Sequence, residues 1–461
     1  MRAHEAGALH GDIGNRGPAW LRVPQDVNAL VPQLWPRTVI RAEPGALEIG
    51  GVSVLDLAAE HGTPAYLLDE DDLRSRCRDF AAAFAGADVY YAGKSFLCKA
   101  VVKIVEEEGL FLDVCSGGEL AVALAAGFPA ERMGFHGNNK SVSELTRALD
   151  AGVGRIILDS FQEIDRLTAL ARESGKRPKV LIRVTVGVEA HTHEFIATAH
   201  EDQKFGFSLA GGAAFEAAIR VLDEGVLDLH GLHSHIGSQI FDTSGFEVAT
   251  RRVVELQAQI RDARGVELAE LDLGGGFGIA YTTQDDPSPA GDLAKRINKI
   301  IASECDASSL AIPRLSIEPG RAIVGPSVFT LYEVGTVKDV DGIRTYVSVD
   351  GGMSDNIRTA LYDASFSATV AGRRSDAPPL LARVVGKHCE SGDIVVKDEF
   401  LPADVQPGDL LAVPGTGAYC RSMASNYNHV PRPPVVAVRD GASRVIVRRE
   451  TEDDLLALDV G

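Results

Sequence analysis

Residues 87–127 alternate between two textures: ADVYYAG (87–93) and LFLDVC (110–115) are apolar and strand-like, whereas VVKIVEEEG (101–109) and GGELAVALAAG (117–127) read as helix. The alternation continues outward on both sides. Pro64–Leu68 reads as an earlier strand, and RMGFHG (132–137), RIILDS (155–160), VLIRVTV (180–186), LHGLHSHIG (229–237), ELDLGGGFG (270–278) and RLSIEPG (314–320) as later ones. Helical segments follow at SVSELTRALDAG (141–152), FQEIDRLTALARESG (161–175), near 213–224 and near 245–264. Eight or nine strands, each followed by a helix or loop, predict a parallel α/β fold, most economically a closed (β/α)8 TIM-like barrel with its ligand at the strand C-termini.

Past residue 326 the texture changes. VFTLYEVGTVKDV (328–340), RTYVSVDGG (344–352), LLARVVGKHCE (380–390), DLLAVPGTGAY (409–419), PVVAVRDG (434–441) and SRVIVRRE (443–450) are β-branched runs broken by Gly and Pro at short intervals. They predict a second, mostly β domain of sandwich or barrel type over 326–461. Residues 1–40, rich in Gly, Pro and isolated charges, predict an extended, partly disordered arm. Residues 41–62, with a strand near 46–50 and a short helix over Val54–His61, are assigned to the β domain, and 63–325 to the barrel. YCRSMASNYN (419–428) has no clear alternation and reads as a functional loop, and TEDDLLAL (451–458) as a short amphipathic helix.

Composition narrows the class. With 45% hydrophobic residues over 461 positions the chain can bury full cores. Its net charge of −19 argues against nucleic acid or an anionic membrane surface, so an anionic ligand requires a local basic cluster. No apolar run of signal or membrane-spanning length is seen. Cys77, Cys98, Cys115, Cys305, Cys389 and Cys420 lie far apart without a CxxC, so neither a disulfide framework nor a thiolate zinc site is expected. A cytoplasmic enzyme with free thiols fits best.

Several residues carry chemistry. Lys94 ends the apolar strand Val89–Ala92; in dry surroundings its amine would be a Schiff-base nucleophile, and otherwise it reaches for water. Gly274–Gly278 (GGGFG) follows Leu271–Leu273, and bare glycine amides suit a phosphate. A dinucleotide fingerprint read from Gly274 would need glycine at 279, where Ile279 stands. His233 and His235 face the same way on a strand, which suits a metal pair, core histidines, or one imidazole stacked on a planar ligand with Ser238 on its phosphate. His191 and His193 repeat the spacing in what reads as a solvated or lid loop. Glu318–Arg321 (EPGR) is either a surface ion pair at a turn or a carboxylate for a pyridine nitrogen beside an anion-binding guanidinium. Cys389, next to Glu390, is either inert packing or a proton donor.

Taken in order, YYAGKS (90–95), DVCSGGEL (113–120), HIGSQ (235–239), GGGFG, EPGR, MSDNIRTALYDA (353–364), GKHCESGD (386–393) and GAYCRSMASNYN (417–428) resemble the fold-type III pyridoxal-phosphate decarboxylases, in particular those acting on diaminopimelate, from about residue 40 onward. The GVEAHTHEFIATAHEDQKFG segment (187–206) and the arm are similar to actinobacterial members. The resemblance implies pyridoxal 5′-phosphate as cofactor, no metal, and decarboxylation of meso-2,6-diaminopimelate to L-lysine and CO2, the last step of lysine biosynthesis by that route. It makes Lys94 the lysine that carries the cofactor, His235 the ring stacked on it, and Glu318 the partner of its pyridine nitrogen. Ser238 and the amides around Gly275 and Gly276 would hold its phosphate. Pro319, Gly320 and Arg321 fall in the cofactor-binding segment, with Asp113 and Arg183 also facing it. Cys389 would reprotonate the α-carbon. Arg321, Arg358 and Tyr362 would hold the distal carboxylate, Glu390 the distal ammonium, and Tyr419 would reach cofactor and substrate. The family further implies a homodimer in which Cys389 and Glu390 serve the neighbouring subunit's site. A relative acting on ornithine or arginine is the alternative, and Arg358 argues against it. A barrel that binds without catalysing is the other, and the presence of both Lys94 and Cys389 argues against that.

Overall fold

Asp88–Ala92 (β1), Phe111–Val114 (β2), Met133–Phe135 (β3), Arg155–Leu158 (β4), Lys179–Thr185 (β5), Asp228–His233 (β6), Glu270–Asp272 (β7) and Arg314–Ile317 (β8) run parallel, each bonded to the next. The sheet closes where β8 pairs with β1 through Ser316 with Asp88 and Ile317 with Val89. This is the eight-stranded barrel expected from the alternation. The computed structural model describes residues 17–187 and 203–461. The His191 and His193 loop, most of the 187–206 segment and the first part of the arm therefore lie outside the described residues.

The helices between barrel strands start and stop where local chemistry dictates. Ser116, Ser141 and Ser160 cap successive helices, each accepting the backbone N–H of a glutamate three residues on (Glu119, Glu144, Glu163). Each such cap contributes about 1 kcal/mol. Gly152 and Gly175 end two of these helices in the left-handed region, which glycine adopts without steric cost.

The chain divides into two units, with the barrel formed by Arg76–Gly278 and Pro287–Ile323. The remainder forms a mostly β unit around a sheet in which Val328–Val340 pairs antiparallel with Arg344–Val349, Leu410–Pro414 and Ala65–Asp69. Ala65–Asp69 in turn pairs parallel with Val435–Arg439. That placement differs from the boundary expected at residue 63: the first strand-like run belongs to the β unit. Five consecutive buried residues suit a central strand in either setting, so the partners rather than the run itself settle where it goes. Ile279–Asp286 and Val324–Gly325 also fall in the β unit rather than the barrel.

Leu47–Ile49 sits in a small antiparallel sheet with Ile40–Arg41 and Val52–Ser53. Leu47, Ile49, Val54 and Leu57 join Leu67, Phe329, Leu331, Ala412 and Val436 in one core. Leu34, Trp35 and Val39 are buried in that core too, so this part of the expected arm is packed structure. Trp35 meets Phe329 edge-on at 5.7 Å.

Candidate active site

The cavity at the strand C-termini is built from the last residues of the barrel strands and those just past them. It encloses about 160 Å³ and is lined by Lys94, Asp113, His136, Arg183, His233, His235 and Glu318 among others. Lys94 sits in a short 3-10 turn after β1. That turn is pinned by Ser95 Oγ donating to the Ala92 carbonyl at 2.8 Å and Tyr91 OH donating to the Phe96 carbonyl at 2.6 Å. Lys94 itself is exposed to the cavity and not held dry.

Beneath it lies a floor of buried charge. Glu318 Oε1 is 3.0 Å from His136 Nε2 and 3.1 Å from His233 Nε2, and Asp113 Oδ1 is 3.3 Å from the same His136 atom. These are ion-pair distances without hydrogen-bond alignment, so Glu318 Oε1 and both ring nitrogens of His233 lack a hydrogen-bond partner. Burial pushes the Glu318 carboxyl up, but the two imidazoles outweigh it and hold the group well below the usual carboxylate range. Burial lowers His136, and the Glu318 and Asp113 carboxylates more than reverse this, raising it to about 9. Asp113 is raised to about 7 by burial and then by Glu318. His233, the other member of the HxH pair, is therefore part of this floor and not a partner of His235.

The glycine stretch after β7 is anchored at both ends. Gly274 N–H donates to Asp272 Oδ1 at 2.7 Å, and Asp272 Oδ2 is in a short contact with the buried Arg155 Nη2. Arg155 also donates to Ser316 Oγ at 2.8 Å and lies 3.8 Å above the Tyr90 ring. Gly275 N–H donates to His235 Nδ1 at 3.2 Å, which gives that amide to the imidazole and marks Nδ1 as unprotonated. Burial, then Lys94 and Arg183, hold His235 well below its ordinary pKa, so the ring is neutral. A Cβ on Gly275 would meet the Glu318 carbonyl at 2.2 Å, and one on Gly276 the Gly237 carbonyl at 2.4 Å. Ser238 Oγ accepts from Arg321 Nη2 at 2.8 Å, joining the loop after β6 to the segment after β8. Gly320 lies against Ala92 and Ser95, where a Cβ would come within 2.9 Å of each. Pro319 precedes it in the same buried turn.

The β unit gathers a second group of the expected residues. Arg358 begins the short helix Arg358–Tyr362, and its guanidinium lies 5.0 Å from the Tyr281 ring, 5.9 Å from Tyr419 and 6.0 Å from Tyr362. Arg358 Nη1 donates to Tyr281 OH at 2.5 Å. Tyr419 holds a left-handed backbone, with φ 64°. Cys389 is exposed on its loop, and its N–H donates to Asn428 Oδ1 at 3.0 Å. Glu390 N–H donates to the His388 carbonyl at 2.8 Å, and Glu390 Oε1 accepts from Gly392 N–H at 3.3 Å.

Sequence reasoning passed over Tyr281, His136, Asp272 with Arg155, and Asn428. Tyr281 stands three residues past GGGFG and His136 ends a strand-like run, so position alone marked both. Their partners, however, are distant in sequence.

The residues present suit pyridoxal phosphate: an accessible amine, a buried ionised carboxylate with an unfilled acceptor, a neutral imidazole, and a hydroxyl–guanidinium pair beside a glycine turn with no room for side chains. None of the described helices is long and apolar enough to cross a membrane.

The family described as pyridoxal-dependent decarboxylase, pyridoxal binding domain, matches residues 70–325. A diaminopimelate decarboxylase of Mycobacterium tuberculosis is 59% identical over 94% of this chain and 98% of its own length. One from Mycobacterium leprae is 55% identical over the full length of both. The crystal structure of the diaminopimelate decarboxylase of M. jannaschii in co-complex with L-lysine superposes with a TM-score of 0.86 at 31% identity, covering 93% of this chain and 99% of the other. The chain belongs to the pyridoxal-dependent decarboxylases, among the diaminopimelate decarboxylases.

Proposed function

We propose that this chain uses pyridoxal 5′-phosphate to decarboxylate meso-2,6-diaminopimelate to L-lysine and CO2, the last step of lysine biosynthesis by the diaminopimelate route. Arg358 carries the substrate reading. It is buried to 4% exposure, its Nε has no hydrogen-bond acceptor, and its ionisable neighbours are Tyr281, Cys420 and Tyr419, with no carboxylate in ion-pairing distance among the described residues. A buried cation without a counter-ion is costly unless a ligand supplies one. The distal carboxylate of a diamino dicarboxylate supplies it, whereas ornithine and lysine have only the carboxyl group that would be lost.

When bound, pyridoxal phosphate supplies a conjugated ring that takes up the electron pair left on the α-carbon as CO2 departs. Lys94 is the residue that would hold the cofactor in the absence of substrate. Glu318, kept ionised by His136 and His233, would hold a proton on the ring nitrogen, and the neutral His235 would stack on the ring. Ser238, braced by Arg321, and the Gly276 amide would hold the phosphate, with Gly275 orienting His235. Pro319 and Gly320 keep the Glu318 turn close to β1, and Asp113 and Arg183 wall the cavity.

Cys389 delivers a proton to the α-carbon, and Glu390 meets the distal ammonium. Arg321, Arg358, Tyr362 and Tyr419 take the distal carboxylate. The reading includes a homodimer in which Cys389 and Glu390 complete the neighbouring subunit's site, and the exposure of Cys389 on a single chain supports this. Six free cysteines accord with a cytoplasmic setting.

The test is a competition assay: purified protein with pyridoxal phosphate and equal amounts of meso-diaminopimelate, ornithine, arginine and lysine, with products identified by mass. Lysine formed at diaminopimelate's expense is expected. Putrescine, agmatine or cadaverine would overturn the substrate assignment. Arg358→Ala should lose about 1.5–3 kcal/mol of selectivity, roughly one to two decades in kcat/KM, for diaminopimelate alone.

A further inference from the structure

We infer that Tyr281 is a specificity-determining residue, one that aims Arg358 at the distal carboxylate and so fixes which end of the substrate is held away from the reacting carbon. The inference rests on the reading of Arg358 given above. A guanidinium presents its donors as a planar fork, and bidentate capture of a carboxylate requires that plane to be set in advance. Tyr281 sets it: its hydroxyl accepts from Nη1 at 2.5 Å, which fixes one corner of the fork and leaves the Nε corner without an acceptor.

Tyr281 is itself held from several sides. Its ring meets Phe366 edge-on at 5.1 Å and 75°. Its N–H donates to Asp285 Oδ2 at 2.9 Å, and Asp285 accepts from Thr282 N–H at 2.9 Å as well. Gly415, at φ +76°, leaves room for the ring: a Cβ there would stand 3.1 Å from Tyr281 Cδ1. The Tyr362 and Tyr419 rings complete an aromatic collar that stabilises the charge without neutralising it. The collar thus holds a cation in place while leaving its negative partner to the ligand.

The chemistry defines useful probes. L-lysine retains the distal carboxylate, whereas pentane-1,5-diamine has neither carboxylate. Tyr281→Phe keeps the ring and removes only the hydroxyl. Expected are a rise of about tenfold in KM for meso-diaminopimelate and a similar weakening of L-lysine as a competitive inhibitor. Inhibition by pentane-1,5-diamine, kcat, and pyridoxal phosphate affinity read from visible absorbance should each stay within about twofold. Arg358→Ala is measured alongside. If it raises KM while Tyr281→Phe does not, Tyr281 has no aiming role and the Arg358 reading stands. If Arg358→Ala leaves KM unchanged, the underlying reading fails and the inference with it. A Tyr281→Phe variant that loses kcat and thermal stability with KM unmoved would reduce Tyr281 to packing and overturn the inference.

Discussion

The N–H of Cys389 donates to Oδ1 of Asn428 at 3.0 Å, so the loop that presents the thiol is fastened by its backbone to a residue 39 positions later. Neighbouring contacts reinforce it: His388 Nε2 lies 2.8 Å from Ser354 Oγ, its N–H donates to Asp393 Oδ2 at 2.7 Å, and its ring lies 5.5 Å from that of Tyr427. Asn428 has φ 52°, a conformation glycine accepts freely. Asn428→Gly therefore removes the side-chain acceptor and leaves the backbone unstrained. We expect kcat to fall about tenfold with KM little changed, as for the loss of one hydrogen bond at a positioned group. Steady-state kinetics and the rate of Cys389 alkylation check this, and an unchanged kcat would dismiss the brace.

The His136–Glu318 pair predicts a pH dependence for the cofactor-free protein. A histidine raised from 6.5 to about 9 contributes stability that is fully present below about pH 6.5 and is lost as pH rises through about 9. Asp113, raised from 3.8 to about 7, also makes stability fall with rising pH, but its share is complete by about pH 7. Glu318 has the opposite sign: its stability is present above its ordinary value near 4.5 and is lost only as pH falls through the depressed one. The decline between about pH 7 and 9.5 therefore belongs chiefly to His136. Urea unfolding midpoints should fall across that range in the parent protein and flatten in His136→Asn. Equal slopes in both proteins would count against the pair.

Gly275→Ala places a methyl group 2.2 Å from the Glu318 carbonyl, and backbone cannot give way as a side-chain tip can. The variant should lose about 1–3 kcal/mol of stability, the usual cost of overpacking. It should also bind pyridoxal phosphate more weakly, because the shift moves Glu318 and His235 together. Thermal melts and an absorbance titration measure the two effects, and a variant indistinguishable from the parent in both would refute the close approach.

Asp272 has a dual contact, with the buried Arg155 on one oxygen and Gly274 N–H on the other. Asp272→Asn leaves Arg155 buried without its principal counter-charge, Glu270 Oε2 being 3.8 Å from Nη1. The expected cost is about 3–5 kcal/mol, read as a lowered unfolding midpoint. Asp272→Asn with Arg155→Met should recover part of it, whereas additive losses would mean that the two residues act separately.

The barrel was readable because its strands declare themselves locally as apolar runs followed by helices or loops, three of those helices being Ser-capped and Gly-terminated. Ala65–Asp69 is just as apolar, yet its partners begin at Val328 and Val435, and no local pattern reveals partners so far away. The helix Ala290–Ala307 was passed over although Leu293, Ala294, Ile297 and Ile301 stand at helical spacing. The Pro and Asp residues of the preceding DDPSPA favour a turn and mask where the helix starts. Lys94, His235 and Glu318 could be nominated because they end strands, where barrel chemistry collects. Tyr281, His136 and Asn428 act through partners 77, 182 and 39 residues away respectively, and only folding brings those pairs together.

The threading of the β unit sets an order of events on the ribosome. Ala65–Asp69 is made early, but Val435–Arg439, one of the two strands that flank it, emerges some 366 residues later (435 − 69). At about 5–20 residues per second that is a delay on the order of 20–70 s. The barrel needs nothing beyond β8 to close. A nascent chain thus carries a barrel free to complete itself beside a five-residue apolar strand with an open edge, the kind of segment that seeks pairing with other chains. Val328–Val340 and Val435–Arg439, on arrival, act as its intramolecular chaperone.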